Sequence, residues 1–238
     1  MFFESKVMSM YWKLGSILAL SVFLGLLACN RVKHPTDSST LISTGSDINL
    51  PAPSSAGKMS LEEALQSRRS IRRYSDQPLS EQEISQLLWA AQGVTSPQGY
   101  RTAPSAGALY PLELYAVTQS GVYHYDPARH TLGFVQEGDA RRKLYEAALK
   151  QDPVLKAPLV IVITAVYERT EIKYGEERGP RYVHLEAGHA AQNLLLQAVT
   201  LGLGAVPIGA FYDDRVQGAL DLPADHMPLY LIPVGRLP

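Results

Sequence analysis

Residues 159–166, LVIVITAV, limit the fold more than any other stretch of the chain. A continuous β-branched run without alternation is the signature of a strand buried on both faces, so other elements must cover each side of it. Two S-x-x-E boxes, Ser60 to Glu63 and Ser80 to Glu83, mark helix starts in which serine and glutamate satisfy the first free amides. After the second, Ile84, Leu87, Leu88 and Ala91 recur at helical spacing until Gly93. Residues 112–118, 122–126 and 132–136 are short β-rich runs parted by Ser120-Gly121 and Asp126-Pro127, as in an antiparallel meander. A helix over 139–149, a long helix over 182–201 stopped by Gly202, a strand at 205–208, a short helix over 213–220 and a strand over 229–234 follow. Helices and strands intersperse without strict alternation, so the class is α+β, and no repeat divides residues 59–238 into more than one domain.

The N-terminus reads as an address. Residues 14–28 form an apolar segment of about fifteen residues, shorter than the ~20 that cross a bilayer, with Lys13 before it. Leu26-Leu27-Ala28-Cys29 then resembles a bacterial lipobox. The resemblance implies a signal peptide over 1–28, lipidation of Cys29, and a protein held by acyl chains on the outer face of a bacterial membrane. Asn30 is not the aspartate read as inner-membrane retention, so a Gram-negative host would sort the protein to the outer membrane. Met10 is a second candidate start, and the absence of arginine before Arg31 excludes a twin-arginine signal and implies export unfolded. Residues 29–58, rich in Ser, Thr, Pro and Gly, read as a flexible tether. Cys29 is the only cysteine, which excludes an intramolecular disulfide and thiolate zinc sites.

Charge excludes a further class. With 22 basic against 23 acidic side chains there is no general attraction for nucleic-acid phosphates. Arg68, Arg69, Arg72 and Arg73 nevertheless crowd around Ser70 where the first helix should end, either as a solvated basic helix end or as an anion clamp. The stretch 103–111, APSAGALYP, is either a plain loop or a surface whose small side chains let a flat ligand approach the main chain. Gly202 to Gly209 is not a dinucleotide fingerprint, because it ends a helix and enters a strand. His184 and His189 are five apart and do not share a helical face, so no metal site is expected, and no G-x-S-x-G elbow is present.

In this order, the arginine-serine turn, the APSAGALYP loop, the segment 202–211 and the terminal Arg236 resemble the nitroreductase superfamily. More narrowly, APSAGALYP, Lys173-Tyr174-Gly175 and the EAGHAAQNLLLQA stretch (186–198) resemble its SagB/ThcOx-type dehydrogenases, which oxidise azoline heterocycles in peptides. The similarity covers residues 59–238 and implies a mixed central sheet flanked by helices, and a homodimer with two FMN molecules at its interface. On that resemblance Arg68, Arg69, Ser70, Arg72 and Arg236 hold the FMN phosphate and ribityl chain. Pro104, Ser105, Ala106, Gly107, Leu109 and Tyr110 line the isoalloxazine, and Pro207, Ile208, Gly209 and Ala210 run beside its N5 edge. Lys173 matches the base that takes a carbon-bound proton from the azoline while hydride leaves for the flavin, and Tyr174 its orienting partner. Two further functions share these residues: an NAD(P)H-dependent nitro or quinone reductase, and a surface lipoprotein that keeps the fold without catalysis. Export unfolded would require FMN to be loaded outside the cytoplasm.

Overall fold

The computed structural model describes residues 46–238, so the apolar segment, Cys29 and the first part of the expected tether lie outside the described residues. Its strands are β1 (Ile48–Asn49), β2 (Leu112–Val117), β3 (Gly121–Asp126), β4 (Thr131–Glu137), β5 (Leu159–Ala165), β6 (Leu203–Ala205) and β7 (Met227–Arg236). Its helices are α1 (Leu61–Ser67), α2 (Glu81–Gln92), α3 (Arg141–Ala147), α4 (Asp152–Lys156), α5 (Glu168–Thr200) and α6 (Asp213–Leu220). The strands form one seven-stranded sheet in the order β1-β4-β3-β2-β5-β7-β6.

Every residue of β5 is buried, and alternate side chains enter different cores. Leu159, Ile161, Ile163 and Ala165 pack with Leu87 and Leu88 of α2 and with Ala187, Ala190, Leu194 and Ala198 of α5. Val160 and Val162 pack with Leu144 of α3, Val154 of α4, and Val216 and Leu220 of α6. Each such aliphatic side chain contributes about 1.5–3 kcal/mol on burial, which is why this run fixes the layering. The alanines of α5 let that helix lie close to the sheet.

The α+β architecture with flanking helices is as expected. Every ladder between named strands is antiparallel, and the mixture of directions comes from one isolated parallel bridge, Ser70 to Ala205. Both capping boxes form, with Ser60 and Ser80 accepting from the amides of Glu63 and Glu83. The five-residue α4 was not expected, because DPVLK is too short to show a period. The strand expected at 205–208 is shifted back to Leu203–Ala205, and Ile208 keeps only a bridge to Leu231.

The tether needs correction at its end. Ile48 and Asn49 pair with Leu132 and Thr131, the Ser54 amide donates to Gln86 Oε1 at 2.8 Å, and Ser85 Oγ donates to the Pro51 carbonyl at 2.6 Å. Packing therefore begins near residue 48 rather than 59. Composition did not reveal this, because only Ile48 and Leu50 join the core and the rest of the segment is held by the β4 backbone and by polar side chains on α2.

The long helix also differs from the expected 182–201. It starts at Glu168 and is broken at Gly175, whose φ of 77° and ψ of 162° are accessible essentially to glycine alone. The chain folds back there. A Cβ on Gly179 would stand 3.2 Å from the Glu171 Cα, and the Tyr167 hydroxyl lies 2.6 Å from His184 Nε2. Neither contact is possible along a straight helix, where eight residues rise roughly 12 Å. Residues 168–182 are thus a helical hairpin at the end of the sheet where Leu112 and Ala165 pair and Met227 opens β7. At the opposite end lie Val117, Leu159 and Val234, followed by Arg236.

Candidate functional site

The loop before β2 is held in an uncommon conformation. Gly107, Ala108 and Tyr110 all have positive φ, at 64°, 53° and 47°, which non-glycine residues adopt only when their surroundings hold them. Tyr110 is held on several sides. Its amide donates to Ser105 Oγ at 2.9 Å, its hydroxyl accepts from the Arg101 amide at 3.2 Å, and the Arg101 guanidinium stacks 4.6 Å from its ring centre. The amides of Ala106 and Gly107 bond to no other group among the described residues; Pro104 and Gly107 are exposed, and Leu109 is half-buried. A short 3-10 turn over Ala106–Ala108 carries them.

The hairpin brings Lys173 and Tyr174 onto this loop. A Cβ on Gly107 would stand 2.8 Å from Lys173 Nζ and 3.0 Å from the Tyr174 hydroxyl, so a larger residue there would push the two side-chain ends off the loop. Lys173 Nζ is 5.6 Å from the Tyr174 ring centre, and Tyr174 packs edge-on against Tyr182 at 4.7 Å. Lys173 is exposed in the single chain and Tyr174 half-buried. An amine and a phenol standing over a small-residue surface can take, give or orient a proton on a ligand lying there.

Beneath the loop lies an acid that sequence reading gave no role. Glu186 of α5 is 2 % exposed, and burial pushes its carboxyl up to about 7 against opposition from a Ser105 hydrogen bond, the Arg101 charge and the Gln92 amide. Its Oε1 has no well-formed partner. Arg169 was also missed: its guanidinium reaches both the Tyr110 carbonyl and Glu113. Glu186 stood inside a stretch singled out for its pattern, but Arg169 and Glu113 carry no local signal, since they meet only through the hairpin.

The arginines lie elsewhere and divide in use. Ser70 bridges to Ala205 and the Ile71 amide donates to the Ala205 carbonyl, which places the cluster beside β6, toward the Val234 end of the sheet. Arg69 Nη1 donates to the carbonyls of Gln66 and Arg68 at the end of α1, and Arg72 Nη1 to the Ser70 carbonyl. Arg68 is half-buried and its guanidinium, like the Ser70 hydroxyl, meets no partner among the described residues. Arg236 is engaged within the chain. Its Nη1 and Nη2 form a fork with both oxygens of Glu83, each at 2.9 Å, while Glu83 also accepts from the Ser80 amide at 2.7 Å. In the chain alone the terminal guanidinium is held by the helix cap.

The 207–210 stretch is likewise only partly available. Ile208 exchanges both backbone bonds with Leu231 and is buried, and Pro207 has no amide proton, so Gly209 and Ala210 alone present free N–H groups. The Ala210 carbonyl accepts from Gln151 Nε2. Among the described residues no group of three His, Cys, Asp or Glu side chains is placed to hold a metal ion.

Comparison with known proteins adds to this geometry. The family profile described as Nitroreductase family matches residues 65–236. A protein of Methanocaldococcus jannaschii named as a nitroreductase, MJ1384, is 46% identical over 185 residues, covering 75% of this chain and 92% of its own. The crystal structure of a nitroreductase-type protein from Ralstonia eutropha superimposes with a TM-score of 0.75 at 30% identity, over 83% of this chain and 92% of that one. The microcin B17-processing protein McbC of Escherichia coli is 29% identical over 157 residues, 60% of this chain and 57% of its own length.

The buried acid gives a pH dependence with a definite sign. The folded chain binds the Glu186 proton more tightly than the unfolded chain, whose group titrates near 4.5. Its contribution to stability is therefore intact below pH 4.5 and is lost as pH rises through about 7. Glu186→Gln should gain about 2–3 kcal/mol over the natural chain above pH 7 and nothing in acid, read by urea denaturation across pH. A difference that does not change with pH would contradict this assignment.

Proposed function

The chain belongs to the nitroreductase family, and we propose that it is an FMN-dependent dehydrogenase of the SagB-like branch acting on a small or peptidic azoline-like substrate. The observation that carries this reading is the placement of Lys173 Nζ and the Tyr174 hydroxyl over Gly107, in a loop from a distant part of the sequence. The likeness to McbC, a processing protein of microcin B17, supports a peptide-modifying reading over a generic one.

The residues present fit FMN. Arg68 and Ser70 offer a free guanidinium and hydroxyl for a phosphate, and Ala106, Gly107, Gly209 and Ala210 offer free amides to the edges of a flat ring. When bound, the flavin would supply the acceptor for the electron pair leaving the substrate. The chain does the rest: Lys173 takes the carbon-bound proton, Tyr174 orients the heterocycle, and the loop excludes water from one side. The isolated chain leaves Lys173 exposed, so its desolvation must come from substrate or a second subunit.

A homodimer also follows on this reading. The Arg68–Ser70 pair and the Gly107 loop stand toward opposite ends of the sheet, separated by strands spanning roughly 20 Å. A two-fold related copy would bring the arginines of one subunit to the loop of the other. Leu61 and Leu65 of α1 and Leu185 of α5, each more than half exposed, suit such a covered face. Cys29 is proposed as the lipid attachment point.

Purified protein should be yellow with one FMN per subunit, and anaerobic mixing with a thiazoline peptide should bleach it. Lys173→Ala should slow that bleaching by about 100-fold while leaving FMN bound. Colourless protein that refuses FMN, or rapid bleaching by NADH with none by the thiazoline, would overturn the reading. Cys29→Ser should move the protein from the membrane to the soluble fraction; unchanged membrane association would refute the anchor.

A further inference from the structure

The first turn of α5 holds a cation that neither lines the loop surface nor stands free in solvent. Arg169 Nη1 donates to the Tyr110 carbonyl at 3.2 Å, and its Nη2 meets Glu113 Oε1 at 2.5 Å. The other Glu113 oxygen lies 2.6 Å from His124 Nε2. Glu113 is mostly buried, and although burial alone would raise its pKa, the bonds to His124 and Arg169 prevail and hold it below the usual carboxylate range. Glu113 stands on β2 and His124 on β3, so the anion that fixes Arg169 is built into the rigid sheet.

Position along the helix gives this contact its consequence. Arg169 and Lys173 are four residues apart and share one face of the hairpin's first arm. Arg169 grips the C-terminal end of the loop at Tyr110, and Lys173 and Tyr174 meet the same loop at Gly107. Tyr110, held at φ 47°, also carries the strain of the loop, so one guanidinium ties the loop conformation to the hairpin that covers it. A further contact across the hairpin, Tyr167 to His184, closes its base.

We propose that Arg169, fixed by Glu113 and His124, is a positioning residue that sets where Lys173 and Tyr174 stand over Gly107. The inference rests on the reading of Lys173 as the base in dehydrogenation. A lysine side chain with four rotatable bonds on an exposed arm has many positions open to it. Tying its helix turn to the loop that receives the substrate removes most of them before substrate arrives. Arginine suits the task because its planar fork can hold a carbonyl and a carboxylate at once, which an ammonium does less well.

The test uses the full-length FMN-loaded protein and a thiazoline peptide as probe. Arg169→Gln should lower kcat about 100-fold with KM changed by no more than roughly twofold. In a Lys173→Ala background the same change should cost far less than in the natural chain, only what displacing Tyr174 loses. Arg169→Lys should recover only part of the loss. Hydrogen exchange read by mass spectrometry should rise about tenfold in residues 168–176 and 107–111 and nowhere else. Hairpin exchange unaltered by Arg169→Gln, a loss in the Lys173→Ala background as large as in the natural chain, or full rescue by lysine would overturn the positioning role. Should Lys173→Ala alone leave turnover intact, the base assignment fails, and the exchange measurement still decides whether Arg169 fixes the hairpin. Glu113→Gln, which conserves volume and strand pairing, runs the same comparison if Arg169→Gln does not fold.

Discussion

A single missing side chain organises the candidate site. Because Gly107 has no Cβ, an amine and a phenol can stand within 3.0 Å of where one would be, and the loop can turn through positive φ at that point. Everything nearby serves to keep that approach in place. Gly175 turns the chain back so that Lys173 and Tyr174 arrive from above, and Tyr110, Arg101 and Ser105 hold the loop from below. The sheet provides the fixed frame, since β5 is buried on both faces and its neighbours carry the loop, the hairpin and the charges that bind them.

How far the sequence revealed this varies with the range of the physics involved. The helix starts at Ser60 and Ser80 were legible because a capping box is chemistry among four neighbouring residues. β5 and the meander were legible because burial on one or two faces writes itself into the residue pattern. The fold-back at Gly175 was not, because the polar run around it carries no period, and its closing contacts link residues eight and seventeen positions apart. Arg236 was read as an anion ligand from its position after the last strand; the strand alone does not show that Glu83, from a helix cap far back in the chain, already occupies it. The end of the tether was misread for a related reason, since its backbone groups are satisfied by glutamine and serine on α2.

The division of the expected cofactor ligands along the sheet gives the strongest constraint on assembly. Arg68 and Ser70 have unpartnered donors at one end, and the Gly107 loop has free amides at the other, with Lys173 above it. Under the proposed function, their separation by the length of a strand is bridged if a second copy completes each site.

Subunit complementation tests that claim most directly. Arg68→Ala and Lys173→Ala proteins, each inactive alone, would be mixed under conditions that exchange subunits, and dehydrogenation of a thiazoline peptide followed. If arginine and lysine serve one site from different subunits, each mixed dimer carries one intact site, and random exchange restores about a quarter of natural activity. No recovery on mixing, with exchange verified, would show that one chain holds the whole site and would contradict the account.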